Sequence, residues 1–103
     1  AKSTRYDILR QLILEFCPKK FLDIGCGDGS FLHSISRDGI ICFGLDIKAT
    51  GENPMILRCD IDNEPIPPIV GKDFDVVFAG EIIEHLFDPE HMLDEIRRVL
   101  TCG

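Results

Sequence analysis

The chain has 103 residues, 45% hydrophobic and 28% charged, enough for one small domain with one core. Its 18 acids against 11 Lys and Arg leave a formal charge of -7, the wrong sign for holding a phosphate backbone, so no nucleic acid partner is expected. No apolar run approaches the roughly 20 residues of a membrane span, and residues 1 to 20 lack the charged start and apolar stretch of a signal peptide, so the expectation is a cytoplasmic protein with no membrane partner.

Residues 4 to 16 place Tyr6, Leu9, Leu12, Ile13 and Phe16 at helical spacing, with Ser3 or Thr4 as cap, and predict an amphipathic first helix. Pro18 ends it, and FLDIG reads as a short buried strand running into a glycine loop. Helical spacing resumes over 29 to 37 through Phe31, Leu32 and Ile35, where Gly39 suits a C-terminal cap. IICFGLD, residues 40 to 46, predicts a second buried strand, and MILRC, 55 to 59, a weaker third. The prolines and glycine between Asp60 and Asp73 predict a loop, and FDVVFAG, 74 to 80, a fourth strand. Asp88 and Pro89 open a last helix whose Met92, Ile96, Val99 and Leu100 form one stripe, while Glu90, Asp94, Glu95, Arg97 and Arg98 read as its solvated face. His33 and His91 read as surface residues. Cys17, Cys26, Cys42, Cys59 and Cys102 contain no C-x-x-C pair and read as reduced thiols, most of them in the core.

Buried strands alternating with helices predict an α/β, Rossmann-like parallel sheet, in which ligands sit at the carboxyl ends of the strands. The residues to read are therefore Gly25 to Gly29, Asp46, Asp60 and Gly80 to His85. The glycine loop suits a nucleotide in general, but a dinucleotide fingerprint would set a third glycine at position 30, where Ser30 stands. Charge discriminates better than spacing. Asp23 and Asp28 flank the loop and would each repel a pyrophosphate by on the order of a kcal/mol. S-adenosylmethionine carries no phosphate, an ammonium and a cationic sulfonium, and fits an acidic loop. Asp46, ending the second strand, is placed to accept hydrogen bonds from both ribose hydroxyls.

The ordered blocks LDIGCGDGSF, GLDIK, CDID, FDVVFAGEIIEHLFDP and LDEIRRVL resemble the class I S-adenosylmethionine-dependent methyltransferases. The E-H-L block followed by D-P is similar to small-molecule members, including the ubiquinone-biosynthesis and MetW-like groups. The resemblance implies a three-layer fold with about four strands in the order 3-2-1-4, an incomplete form of the family's seven-stranded sheet. It makes residues 1–103 a single S-adenosylmethionine-binding domain, the N-terminal half of the family fold. It implies methyl transfer to a small-molecule acceptor. By the same resemblance Asp23, Gly25, Cys26, Gly27 and Gly29 hold the methionine portion, Asp46 the ribose, and Asp60 with Ile61 the adenine. Ile47 and Gly80 complete the expected cofactor set.

In-line methyl transfer needs alignment more than it needs an acid or base. Should the acceptor be a hydroxyl, EIIEHL offers Glu81, Glu84 and His85 near the methyl group, and an imidazole is the natural base. The same three residues resemble the E-x-x-E-H metal spacing of small-RNA 2'-O-methyltransferases, but no later His completes that set and no metal is expected. A module that binds S-adenosylmethionine or its product without turnover, as a partner subunit, is the alternative reading. A dehydrogenase is opposed by Asp23 and Asp28. Finally, Val76, Val77 and Phe78 should leave an unpaired outer edge on the fourth strand, and the last helix part of its Met92, Ile96 and Val99 stripe exposed, so a two-fold homodimer through either is expected.

Overall fold

Apolar runs separated by glycine and proline leave little choice but short strands buried on both faces, and helices must cover them. The computed structural model describes residues 5–36, 39–80 and 82–101. The elements run α1 (Arg5–Glu15), β1 (Lys20–Ile24), α2 (Ser30–Ser36), β2 (Ile41–Asp46), β3 (Ile56–Arg58), β4 (Val76–Phe78) and α3 (Pro89–Val99). Single 3-10 turns occur at Pro68–Val70 and Ile83–His85. The four strands form a parallel sheet in the order β3-β2-β1-β4, as expected.

The pleat of β1 divides the core into two layers. Leu22 and Ile24 pack with Leu45, Phe74, Met92 and Val99 beneath α3, whereas Phe21 packs on the other face with Ile13, Leu32, Ile35 and Cys42 under α1 and α2. Asp23 shares the face of Phe21 by alternation and is itself buried. The sheet is closed at its lower end by Asp75, whose carboxylate accepts from the amides of Lys19 and Lys20 at 2.7 and 2.9 Å.

Four expectations need correction. The α1 stripe is only partly buried: Ile13 is covered, but Tyr6, Leu12 and Phe16 are exposed, because the helix beside it, α2, is only seven residues long. The α3 stripe, in contrast, is covered within the chain, with Met92 and Val99 buried and Ile96 packed beside them. The outer edge of β4 is also occupied at its start, since Phe74 donates to Val99 O at 3.0 Å and accepts from Thr101 N at 2.9 Å in a parallel bridge to Leu100. Nor is the polar side of α3 simply solvated. Glu95 accepts from Ile66 N at 2.7 Å, Arg98 donates to Ile66 O, and His91 Nε2 lies 2.8 Å from Glu64 O. The Ser3 or Thr4 cap, Glu81 and Cys102 lie outside the described residues. Of the other cysteines, Cys42 and Cys59 are buried, Cys26 is half-buried and Cys17 is exposed, all as free thiols.

Candidate functional site

The loops after β1, β2 and β4 converge with α1 on one open cleft of about 1510 Å³ at the carboxyl end of the sheet. Its acidic floor comes from β1 and β2. Gly25 N and Cys26 N donate to Leu45 O at 2.7 and 3.1 Å, which seats the glycine loop on the end of β2. Asp46 then ties that loop down: one carboxylate oxygen accepts from Gly27 N at 2.9 Å, the other from Lys48 N at 2.8 Å. Each oxygen keeps a second lone pair, so two further donors can be accepted.

Asp23 lies at the bottom of the same cleft and is 4% exposed. Burial, and secondarily the nearby Asp46 carboxylate, push its carboxyl up to about 7. The same forces, burial first and then Asp23 and Asp46, push the Cys26 thiol up to about 12, so it stays protonated and unreactive. Asp28 behaves differently. It is exposed at the cleft rim and its Oδ1 accepts from both the amide and the hydroxyl of Ser30, the hydrogen bonds that hold its carboxyl below the usual range while capping α2.

The glycines divide by role. Gly27 has φ 60° and no heavy atom within 4 Å of where a Cβ would stand, so it presents bare backbone to the cleft. At Gly29 a Cβ would stand 2.4 Å from Ile56 Cδ1, and that glycine serves the packing of the loop on β3.

Of the expected cofactor set, the cleft brings together Asp23, Gly25, Cys26, Gly27, Asp46, Ile47 and Gly80, with His85 at its rim. Gly29, Asp60 and Ile61 do not line it. Ile61 is buried in the core, and the Asp60 carboxylate is engaged locally with Asp62 N at 3.1 Å and Asn63 Nδ2 at 2.8 Å. His85 Nε2 lies 3.7 Å from Glu84 Oε1, both side chains being largely exposed.

Sequence reasoning missed the aromatic wall. Phe31 lies 5.6 Å from Tyr6 and 5.8 Å from Phe78, ring centroid to centroid, and all three line the cleft beside Arg10 and Ser34. Helical spacing had assigned Tyr6 and Phe31 to the apolar faces of their helices, and Phe78 to the outer edge of the fourth strand. The available signal was position, since Phe31 follows the glycine loop and Phe78 ends β4.

A methyltransferase domain family model matches residues 22–103. The ubiquinone biosynthesis O-methyltransferase of Klebsiella pneumoniae is 30% identical over 98 residues, covering 82% of this chain and 39% of the relative. Among solved structures, StiE O-MT superposes with a TM-score of 0.74 at 20% identity, over 96% of this chain and 40% of that one. The plantazolicin methyltransferase BpumL, solved with a triazolic desmethylPZN analog and SAH, gives a TM-score of 0.64 at 25% identity, over 91% of this chain and 39% of its own. The chain spans about a quarter to two-fifths of the length of the curated relatives it matches. With its 3-2-1-4 sheet and acidic glycine loop, the chain belongs to the methyltransferase domain family of Rossmann-like, S-adenosylmethionine-dependent proteins.

Proposed function

We propose that this chain is the cofactor-binding part of an S-adenosylmethionine-dependent methyltransferase that acts on a hydroxyl of a small-molecule acceptor. The observation that carries the reading is the Asp46 carboxylate, which bridges the glycine loop and the β2 loop on the floor of an acidic cleft. In this reading Asp46 and Ile47 take the ribose, and Gly25, Cys26 and Gly27 receive the methionine portion above Asp23. Gly29 supports them from behind and Gly80 faces the methyl group; Asp60 and Ile61, the adenine contacts that the resemblance implies, stand outside the cleft. The cleft exceeds the roughly 300–1,000 Å³ of a typical single-ligand pocket, which leaves room for an acceptor beside the cofactor. The donor supplies the cationic methyl group; the chain holds it in line, and His85 is the side chain available at the rim to take a proton from the acceptor. The hydroxyl acceptor is favoured by the O-methyltransferase relative. A non-nucleic-acid acceptor belongs to the same proposal on the net charge of -7, and cytoplasmic residence belongs to it as the expectation carried from the sequence.

Calorimetric titration tests it: S-adenosylhomocysteine should bind and NAD should not. Binding of NAD alone would overturn the reading, and S-adenosylhomocysteine binding with no turnover across a phenol and catechol screen would favour a binding module. A single S-adenosylmethionine-binding domain that pairs through the β4 edge is proposed too. Because Leu100 already covers that edge at Phe74, only Val76–Phe78 is offered to a second copy. Sedimentation at micromolar concentration should give a dimer, and a single monomeric species would remove that part.

A further inference from the structure

The segment between β4 and α3 forms the cleft wall opposite the β2 loop, and its seat is Ile82. A Cβ on Gly25 would stand 3.2 Å from Ile82 Cδ1, so this side chain lies directly against the glycine loop. The segment's own bonds are few: His85 N donates to Ile82 O at 2.9 Å and Leu86 N to Ile83 O at 3.3 Å. Ile83, Glu84 and His85 of its single 3-10 turn are exposed, while Ile82 and Leu86 on either side are half-buried and pack on the core beneath α3.

Its far end is held from another part of the chain. The Asp62 carboxylate, in the loop after β3, accepts from Phe87 N at 3.0 Å through one oxygen and from Asp88 N at 2.7 Å through the other. Asp88 in turn caps α3, its side chain accepting from His91 N. Two amides at a helix entry that the helix cannot satisfy are thus met by one ionised acceptor, the strong class of hydrogen bond. Phe87 is 98% exposed, so its side chain does not anchor the helix entry and its backbone amide depends on Asp62.

We infer that Asp62 is a positioning residue for the methyl-donor site: by clamping Phe87 and Asp88 it sets the path of residues 82–86 and so presses Ile82 onto the glycine loop at Gly25. The inference rests on the cofactor reading above and makes a distinction within it. Ile82 abuts the loop proposed to hold the methionine portion, whereas the ribose site at Asp46 is built from β1 and β2 alone. Loss of the clamp should therefore weaken ligands that carry the methionine arm and spare those that lack it.

Asp62→Asn is nearly isosteric, but its amide nitrogen turns a second donor toward one of the two N–H groups. The full chain should bind S-adenosylhomocysteine about tenfold more weakly in this variant, as expected for losing a charged acceptor. Affinity for 5'-methylthioadenosine, which keeps adenine, ribose and thioether but has no amino-acid arm, should stay within about twofold. Amide exchange without ligand gives a second readout, with protection at Phe87 and Asp88 falling in Asp62→Asn and in Asp62→Ala. Equal weakening of both ligands would reduce Asp62 to a general stabiliser and overturn the inference, as would unchanged exchange at Phe87 and Asp88. Wild-type protein that binds neither ligand would sink the cofactor reading itself, and the inference with it.

Discussion

Two acidic clusters sit at the carboxyl end of the sheet, and they do opposite things with their charge. Around the glycine loop, Asp23 is buried and Asp46 keeps lone pairs turned to an open cleft. After β3, Asp60 accepts from Asp62 N and Asn63, Asp62 from Phe87 N and Asp88 N, and Glu64 from Asp60 N and Arg58. The second cluster is spent on the chain's own donors; the first, in the function proposed above, keeps acceptor capacity for the ligand's positive charge. Similar density of carboxylates therefore separates a binding surface from a set of turn and loop fasteners, and the separation lies in what satisfies each oxygen.

The comparison can be broken most sharply at Gly27. A β-branched side chain there meets φ 60° and projects into the cleft, so Gly27→Val should abolish S-adenosylhomocysteine binding while circular dichroism still reports a folded protein. Full affinity in that variant would make the loop a structural turn only. Asp46→Ala comes next. Losing a charged acceptor shared by two ribose hydroxyls should cost about 1.5–3 kcal/mol, a more than tenfold rise in Kd by calorimetry, and an unchanged Kd would remove Asp46 from the site.

The third effect is a pH dependence. Asp23 titrates at about 7 in the folded chain against 3.8 in the unfolded one, so it holds its proton more tightly when folded. Its contribution to stability is full below about pH 4 and is lost as pH rises through about 7. The ammonium of the ligand's amino-acid arm favours the ionised carboxylate, so S-adenosylhomocysteine should bind up to about tenfold more weakly at pH 6 than at pH 8, with proton release on binding. Asp23→Asn should flatten that profile; a wild-type profile that is already flat would mean the ligand does not meet Asp23. The smallest effect is expected at Asp60. Because its carboxylate faces Asp62 and Asn63, Asp60→Asn should change the same Kd by less than about threefold, and a tenfold loss would place that side chain on the ligand.

These contrasts show what the sequence could and could not carry. The strands and the glycine loop were legible because FLDIG, IICFGLD and FDVVFAG can be buried only as strands, and a loop after β1 must open at the sheet's carboxyl end; the strand order came with the family resemblance. The exposure of Leu12 and Phe16 was not legible, since helical spacing says which residues share a face but not whether anything covers it. The aromatic wall was hidden for the converse reason: Tyr6 and Phe78 come from elements far apart in sequence, and only the fold brings both to Phe31. Among the acids, residue type and spacing were alike in both clusters. Which carboxylates were already engaged depended on long-range donors such as Phe87 N for Asp62 and Ile66 N for Glu95.

The pairing of Phe74 with Leu100 has a kinetic consequence. It closes a strand-helix-bridge unit spanning 26 positions, just as β1, α2 and β2 close another whose pairing spans 21. The register of β1 with β4, fastened by Asp75 to Lys19 across 56 positions, is the costly loop closure. The two units should gain their amide protection early and separately, and their docking along β1 and β4 should set the observed folding rate. Asp75→Ala would then slow folding more than any substitution within either unit, because its carboxylate is the staple that holds the two halves in register while the sheet joins.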